Sequence, residues 1–408
     1  MKQIPFHREF ERIQALPPYV FAEVNAMKDA ARAAGKDIID LGMGNPDLAP
    51  PDHVVEKLVE TVRNPRVHRY SASRGIRGLR RAVAGYYQRR FDVRLDPERE
   101  VIVALGSKEG FAHLATAITE PGDQVLVPDP SYPIHPYGFV LAGAEICRVP
   151  VGPDRDFVSE LERALAAGAG RVKAVTVNFP ANPTAAVVGL DAFEAMVDVC
   201  RRHGVWILSD LAYAEIYFDG SPPPSILQVP GARELAVEFT SLSKTYSMPG
   251  WRIGFAAGNP HLVATLARIK SYLDYGAFTP IQVAATAALN GPQEYVDSVR
   301  EIYRRRRDTL VSGLRRAGWE VDPPVATMFA WARVPPSFRT AGSLAFAKTL
   351  LADARVVVSP GAGFGPGGEG WVRISLVENE QRIRQACRNI RQFLERVDVG
   401  NRATRGAA

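Results

Sequence analysis

The feature that most constrains the fold is a succession of short apolar runs separated by stretches with helical periodicity. Runs with strand-like composition occur at 101–104, 124–127, 174–177, 205–208, 236–239 and 253–256. Helices are predicted at 107–119, 190–203 and 260–274, between several of these runs. Strands that alternate with helices predict an α/β domain with a mostly parallel sheet. The near-continuous apolarity of each run is typical of strands that helices cover on both faces.

The pattern changes after about residue 290 and predicts a second, smaller α+β domain. Its elements are a charged helix at 293–317, strands near 328–333 and 355–359, and helices near 343–353 and 380–396. Ahead of the sheet, residues 1–18 are predicted to form an extended arm and residues 19–34 a helix. We therefore expect an N-terminal arm with part of the small domain (1–45), a large domain (46–290), a small domain (291–397) and a disordered tail (398–408).

Composition and charge are those of an ordinary globular protein. Of the 408 residues, 46% are hydrophobic and 23% are charged, which suffices for more than one buried core. The net charge is +6, but basic residues are spread along the chain. The densest basic run, residues 304–307, lies in a helical pattern that favours a solvated helix face. A mildly cationic chain suits anionic small substrates, and neither nucleic acid nor a membrane is expected as a partner.

Cysteine usage and the N-terminal sequence predict the compartment. The three cysteines lie far apart and form no paired motif, so we expect neither a disulfide framework nor a metal site. The first residues carry charges where a signal peptide needs an apolar run, and no apolar stretch reaches the length of a membrane span. A cytoplasmic protein is therefore expected.

Candidate functional residues follow the predicted strands, because ligands of α/β sheets bind beyond the carboxyl ends of the strands. Ser107 and Lys108 open a helix after the first run, as either a phosphate-binding turn or a plain turn with Ser107 as helix cap. Tyr132 lies between turn residues, where its ring either stacks on a planar cofactor or packs in the loop. Asn182 precedes a proline, and its amide either binds a ligand or caps the loop.

The next two strand ends carry an acid and a lysine. Asp210 at the end of a buried strand needs a cationic partner, such as a protonated pyridine nitrogen, with Tyr213 close enough to touch the same ring. The alternative is a helix-capping aspartate beside a packed tyrosine. Lys244 lies among small hydroxyl residues that include Ser241, and Arg252 follows in the same segment. This setting suits a lysine that binds an aldehyde cofactor as a Schiff base near a fixed cation for its phosphate; an ordinary solvated lysine is the alternative.

Arg373 is embedded in an apolar, strand-like run near the end of the chain. The fork of its guanidinium suits bidentate recognition of a carboxylate. The alternative is an arginine on an edge strand that points to solvent.

With these motifs in place, the chain resembles the class I/II pyridoxal-phosphate-dependent aminotransferases of fold type I, from residue 17 to about residue 397. Within that group it is most similar to bacterial alanine (glutamate–pyruvate) aminotransferases, and the diaminopimelate aminotransferases are the next neighbours. The closer similarity is carried by LPPYVF at 16–21, MGNPD at 43–47, YSASRG at 70–75 and RIKSY at 268–272.

The resemblance implies pyridoxal 5'-phosphate as the cofactor and gives the motif residues roles. Lys244 would bind the cofactor covalently, Asp210 would pair with the pyridinium nitrogen, and Tyr213 would donate to the phenolic oxygen of the ring. Other cofactor contacts implied are Tyr132 on the ring face, Asn182 at the phenolic oxygen, and Ser107, Ser241, Arg252 and the backbone N–H of Lys108 at the phosphate.

The resemblance also implies substrate contacts and a homodimer. Arg373 would bind the substrate α-carboxylate, with Asn182 and the backbone of Gly44 beside it, and Tyr19 is a candidate contact of the substrate. Tyr70 would reach the phosphate of the other subunit across a dimer interface.

The implied reaction is a ping-pong transfer of an α-amino group between an L-amino acid and a 2-oxo acid, with L-alanine and 2-oxoglutarate giving pyruvate and L-glutamate. The alternatives are a diaminopimelate or other amino-acid aminotransferase and a C–S β-lyase that uses the same cofactor. A transcription regulator with an aminotransferase-like domain is a further alternative. It would need an N-terminal DNA-binding domain, and it is disfavoured because only about forty residues precede Gly42. A protein that only binds ligands is disfavoured by the full set of catalytic residue types.

Overall fold

A computed structural model describes residues 10–405, apart from residues 19, 153–154, 169 and 221. Its helices are α1 (Glu11–Gln14), α2 (Val20–Ala33), α3 (Asp52–Val62), α4 (Arg77–Phe91), α5 (Ser107–Ile118), α6 (Ile134–Ala142), α7 (Phe157–Ala167), α8 (Leu190–His203), α9 (Leu242–Thr245), α10 (Pro260–Leu273), α11 (Thr279–Asn290), α12 (Glu294–Arg316), α13 (Ser343–Ala354) and α14 (Glu380–Arg405). Its strands are β1 (Ile39–Asp40), β2 (Val101–Ala104), β3 (Gln124–Asp129), β4 (Glu145–Pro150), β5 (Val172–Val177), β6 (Trp206–Asp210), β7 (Ala236–Ser241), β8 (Gly254–Gly258), β9 (Phe329–Arg333), β10 (Val356–Val357), β11 (Ser359–Pro360) and β12 (Trp371–Ser375).

The large sheet has the strand order β2-β8-β7-β6-β5-β3-β4. Strands β7, β6, β5, β3 and β4 are parallel to their neighbours in this series, and β8 is antiparallel to both β2 and β7. The predicted α/β class with a mostly parallel sheet is confirmed. The sequence pattern missed β4, an edge strand whose exposed Glu145 and Arg148 interrupt its apolar positions.

Both faces of this sheet are buried. Val101 and Val103 of β2 pack into one apolar core, while Ile102 between them packs into another on the opposite face. Helices α4 and α8 contribute to the first core, and α5 and α10 contribute to the second. Because successive side chains of a strand point to opposite faces, burial on both sides requires the near-continuous apolar runs of the sequence.

A third core lies against a small antiparallel sheet with the strand order β11-β12-β9. It includes Tyr303 of α12, Phe346 of α13 and Phe393 of α14. The N-terminal segment joins this half of the chain, because β1 pairs in parallel with β10 and aligns Ile39 with Val356. Domain boundaries at residues 45, 290 and 397 stay a prediction.

Several predicted elements differ from the structure. The strand expected near 355–359 is two short strands, β10 and β11, in different sheets. Part of the arm expected to be extended forms the single turn α1, in which the N–H groups of Ile13 and Gln14 donate to Phe10 O. The tail expected to be disordered from residue 398 is helical as far as Arg405, because α14 continues past the packed Phe393 without a proline and helix extension is cooperative.

The sequence predicts a solvated helix face for the basic run at residues 304–307, but two of its four arginines are buried in the structure. Arg306 and Arg307 are buried, with Arg306 Nη1 2.7 Å from Asp47 Oδ1 and Arg307 Nη2 2.8 Å from Asp308 Oδ1. These two positions share the inward face of α12 with Tyr303 and Leu310, so helical periodicity turns half of the run inward. Within the described residues, no helix is both long enough and apolar enough to cross a membrane.

Candidate active site

A cavity of about 520 Å³ lies at the carboxyl edge of the large sheet. Ser107 follows β2, Tyr132 follows β3, Asn182 follows β5, and Asp210 and Ser241 end β6 and β7. Strand β8 runs the opposite way, so Arg252 ahead of it reaches the same edge. The sequence-predicted residues that line this cavity are Gly44, Ser107, Lys108, Tyr132, Asn182, Asp210, Tyr213, Ser241, Lys244, Arg252 and Arg373.

Lys244 lies in α9, the single turn that follows β7. Ser241 caps this turn by accepting from Ser243 N at 3.1 Å, which fixes where the lysine leaves the sheet. Lys244 Nζ donates to Gly44 O at 2.8 Å. Burial of the amine is the main reason that its pKa is lowered to about 8, and the charges of Arg373 and Arg252 lower it further against the opposing charge of Asp210. Roughly a tenth to a fifth of the amine is therefore neutral, and nucleophilic, between about pH 7 and pH 7.4, against roughly a thousandth for an ordinary lysine.

This depressed pKa predicts the pH dependence of amine labelling in the cofactor-free protein. Only the neutral amine reacts, so labelling of Lys244 by trinitrobenzenesulfonate should rise with pH, reach half its limit near pH 8 and level off above it. An ordinary lysine, with a pKa of about 10.4, would still be gaining reactivity there. The Lys244→Ala variant should lack this phase, and a midpoint near pH 10 would contradict the assignment.

Asp210 is held by groups that the sequence did not reveal. Its Oδ2 lies 2.9 Å from Nε2 of the fully buried His135, and its Oδ1 accepts from Ala212 N at 3.2 Å. His135 lies in α6, and nothing in the local sequence distinguishes it from a core residue. These contacts aim the carboxylate into the cavity rather than at a helix terminus. Tyr213 is buried nearby, and burial raises the pKa of its hydroxyl, which keeps the group a neutral donor.

A chain of hydrogen bonds joins the sheet edge to Arg373. Asn178, a second residue missed from the sequence, donates through Nδ2 to Asp210 O at 2.8 Å and accepts at Oδ1 from Asn182 N at 2.9 Å. Asn182 in turn accepts at Oδ1 from Arg373 Nη1 at 2.8 Å. The Asn182 side chain therefore points into the cavity and positions the arginine, rather than capping its own loop.

Arg373 is buried in β12, the middle strand of the small sheet, so the edge-strand alternative is wrong. Nη2 donates to Gly42 O at 3.0 Å, and the guanidinium carbon lies 4.1 Å from the Phe329 ring centre and 4.7 Å from that of Phe364. A cation held between two ring faces is stabilised and oriented. A Cβ on Gly44 would lie 2.6 Å from the Phe329 ring, so glycine is required where the backbone passes this clamp.

Small residues and Arg252 form a cup at the start of α5. Ser107 is the first residue of this helix, and Gly106 occupies the N-cap position, so the alternative of Ser107 as the helix cap is wrong. Gly106 precedes it with φ +87°, and a Cβ there would lie 2.3 Å from Arg252 Nη2. N–H groups in the first turn of a helix have no partner within it and attract anions. The cup fits a phosphate group, and Ser241 and Ser243 line the same cavity.

Arg252 is fixed at this cup in a left-handed backbone conformation, with φ +52°. Its Nη1 donates to Pro249 O at 2.9 Å. Left-handed backbone is costly for a residue with a side chain and is typical of functional sites. Tyr132 lines the same cavity, with its ring centre 5.9 Å from that of His135 and 6.0 Å from Lys108 Nζ.

One predicted residue, Tyr70, does not line the cavity. Tyr70 is 85% exposed, and its ring centre lies 4.6 Å from that of Tyr275. Tyr19 lies outside the described residues.

A cluster of Glu109, His113 and Asp274 outside the cavity has the spacing of metal ligands. Lys270 Nζ lies 2.9 Å from Glu109 Oε1 and 2.8 Å from Asp274 Oδ2. The buried ammonium group bridges both carboxylates, and His113 Nδ1 lies 2.6 Å from Glu109 Oε1, so these side chains form a salt-bridge network.

Comparison with known proteins places this site in a family. Residues 36–390 match the family model for aminotransferase class I and II. The chain is 58% identical to the putative aminotransferase AatC of Rhizobium meliloti over 96% of both chains. It is 56% identical to the glutamate-pyruvate aminotransferase AlaC of Escherichia coli, over 94% of this chain and 93% of that protein. It is 44% identical to the LL-diaminopimelate aminotransferase of Moorella thermoacetica, over 96% of this chain and all of that protein.

Solved structures agree with this assignment. The substrate-bound structure of BacF from Bacillus subtilis superimposes with a TM-score of 0.90 at 33% identity, covering 95% of this chain and 98% of that one. A single mutant of Thermus thermophilus aspartate aminotransferase gives a TM-score of 0.88 at 30% identity, covering 94% and 99%. The chain therefore belongs to the class I and II aminotransferases, a family of fold type I enzymes whose cofactor is pyridoxal phosphate.

Proposed function

We propose that this chain is an alanine aminotransferase that converts L-alanine and 2-oxoglutarate to pyruvate and L-glutamate, with pyridoxal phosphate bound in the cavity. The observation that carries the proposal is the Lys244 amine, which has a pKa of about 8 and lies in one cavity with the phosphate cup and Arg373. The 56% identity to the glutamate-pyruvate enzyme of Escherichia coli supports the choice of substrates.

The residues present fit the cofactor. The cup at Ser107 and Arg252 would hold its phosphate, Tyr132 would lie against the ring, and Lys244 would hold the aldehyde carbon. Asp210 would pair with the ring nitrogen, since His135 and Ala212 N direct its carboxylate inward. When bound, pyridoxal phosphate supplies an electron sink for the carbanion that forms at the substrate α-carbon.

The side chains of the cavity would carry out proton transfer, hold the cofactor ring and bind the substrate carboxylate. Lys244 Nζ, about half neutral near pH 8, would act as the general base at the substrate α-carbon and then as the general acid toward the cofactor. Asp210 would hold the ring nitrogen protonated, and Tyr213 and Asn182 would donate hydrogen bonds to the phenolic oxygen. Arg373 binds the α-carboxylate and so sets the α-carbon within reach of the amine.

Cavity chemistry favours alanine and glutamate over diaminopimelate. The described lining residues include the cations Lys108, Arg252 and Arg373, and Asp210 is the only carboxylate among them. Diaminopimelate carries a second ammonium group beside its second carboxylate, whereas glutamate carries the second carboxylate alone. Because Asp210 is assigned to the ring nitrogen, no described lining carboxylate is left to pair with that ammonium group. The apolar side chains of Phe21 and Met43 also line the cavity and suit a methyl group.

The proposal is tested by a screen of half-reactions. The cofactor-loaded enzyme receives one amino acid at a time without a 2-oxo acid, and the absorbance of the lysine-linked cofactor is followed as it converts to the aminated form. Conversion by alanine and by glutamate supports the proposal, and conversion by LL-diaminopimelate alone overturns it. Release of pyruvate and ammonia from cysteine without an acceptor would favour the β-lyase alternative.

The proposed enzyme is a homodimer with shared active sites. Tyr70 does not line the cavity of its own chain and is almost fully exposed. Its ring lies beside Tyr275, and Phe278, also partly exposed, has its ring centre 5.7 Å from that of His68. Exposed aromatic clusters of this kind are typical of protein–protein contacts. A second copy would cover the cluster and receive Tyr70 at its phosphate cup.

Mixing two defective variants tests this arrangement. Tyr70→Ala should weaken cofactor binding, and Lys244→Ala should remove the reactive amine. In a mixed dimer, one site combines Lys244 from one chain with Tyr70 from the other. We expect unfolding and refolding the two variants together to restore transamination well above the sum of the separate variants. Recovery no greater than that sum would place Tyr70 outside the partner's site.

A further inference from the structure

A second cavity, of about 180 Å³, lies between α12 and α14, on the side chains of two helices that do not reach the active site. The two helices approach closely at its floor, where a Cβ on Gly313 would lie 2.5 Å from Cys387 Sγ. Glycine is therefore needed for this approach, and the groove above it is concave rather than a plain helix surface. Arg316 of α12, three arginines of α14 and the Thr309 side chain surround the opening.

The groove carries more positive charge than its neighbours neutralise. Arg384, Arg388 and Arg391 follow each other at helical spacing on one face of α14, an arrangement of like charges that destabilises a helix. At the two ends of this row, Glu380 Oε2 lies 2.9 Å from Arg384 Nη2, and Glu395 Oε1 lies 2.7 Å from Arg391 Nε. Neither glutamate lines the cavity.

Arg388, in the middle of this row, and Arg316 on the facing helix have no such neutralising carboxylate among the described residues. Within the described part of the chain, no carboxylate lies in salt-bridge distance of Arg316 or Arg388. Burial raises the pKa of the Cys387 thiol to about 11, and the charges of Arg316 and Arg388 act against that rise. Both arginines line the cavity together with Cys387, and their charges act on its thiol.

We propose that this groove binds a small phosphate-bearing anion, either free phosphate or diphosphate or the diphosphate of a nucleotide. Guanidinium forks bind phosphate oxygens in bidentate geometry, and the Thr309 hydroxyl adds a further donor. The cavity is smaller than the roughly 300 Å³ at which sites for drug-sized ligands begin, which matches a compact charged group. The bound anion links α12 to α14 and removes the repulsion along the arginine row. The site is separate from the proposed reaction and does not depend on it.

Calorimetric titration of the holoenzyme with inorganic pyrophosphate tests the proposal. The bound cofactor keeps the phosphate cup of the active site filled, so the titration reports the groove. In the double variant Arg316→Ala/Arg388→Ala we expect binding at least about tenfold weaker. The matched control Arg315→Ala/Arg396→Ala removes the same charge from the same two helices outside the cavity, and it should bind like the parent protein. No binding by the parent, or equal weakening in both variants, would overturn the proposal.

Thermal unfolding gives a second measurement, in which the melting temperatures of the parent and the double variant are compared without and with pyrophosphate. Without pyrophosphate and at low salt, the double variant should melt at the same temperature as the parent or above it, because two repelling charges are gone. With pyrophosphate, only the parent and the control should gain melting temperature. ADP tests the source of the phosphate: tighter binding than pyrophosphate supports a nucleotide, and weaker binding supports a free phosphate. An RNA oligomer that displaces pyrophosphate from the groove would contradict a small-molecule site.

Discussion

Replacing Lys244 by alanine is expected to lower the turnover of L-alanine with 2-oxoglutarate by at least about 10⁴-fold, the upper range for loss of a general acid–base group. The amine both holds the cofactor and moves the proton at the substrate α-carbon, so the variant loses both roles. Steady-state transamination, assayed as pyruvate formation, measures the loss. Near-normal turnover would contradict the central role of this residue.

Two accompanying measurements separate loss of the amine from loss of the fold. The cup at Ser107, Ser241 and Arg252 is intact in this variant, so equilibrium dialysis should still detect bound pyridoxal phosphate. A small added amine, such as methylamine, fits the space left by the truncated side chain and should restore part of the proton transfer in proportion to its concentration. The matched control is Lys173→Ala, which removes an exposed lysine on β5 and should leave turnover within about twofold of the parent.

The strand-end residues were predictable because the sheet itself was predictable. Buried parallel strands leave apolar runs in the sequence, and the chain must turn where each run ends, so the polar residues there collect at one edge. Asp210 and Ser241 lie at the very ends of their strands, and Lys244 follows within a single turn. The positions of these residues at the edge of the sheet therefore follow directly from where the apolar runs end in the sequence.

Residues that act through others were not predictable in this way. His135 lies in the first turn of α6, and its bond to Asp210 of β6 joins two elements that are far apart in the sequence. Asn178 differs from any loop asparagine only by its contacts with Asp210 O and Asn182 N. Likewise, Arg306 and Arg307 look solvated in a run of four arginines until packing of α12 turns them inward. Each of these depends on how distant segments meet, which periodicity does not encode.

Replacing Arg373 by alanine should lower kcat/KM for every amino acid by a similar factor. Loss of one partner of a buried ion pair costs about 2–5 kcal/mol, which corresponds to roughly 30- to 5,000-fold at 1.36 kcal/mol per factor of ten. All α-amino acids carry the same α-carboxylate, so the loss should be alike for alanine and glutamate. Measuring kcat/KM for both donors checks this expectation.

The lysine variant distinguishes charge from geometry at this position. Arg373→Lys keeps a cation but loses the planar fork that donates to Asn182 and lies between the rings of Phe329 and Phe364. It should therefore recover only part of the loss. Arg333→Ala is the matched control, because this arginine also lies over an aromatic ring, that of Trp371, yet is exposed and outside the cavity. If glutamate alone lost activity in Arg373→Ala while alanine reacted normally, the arginine would contact the substrate side chain, and the α-carboxylate would need another partner.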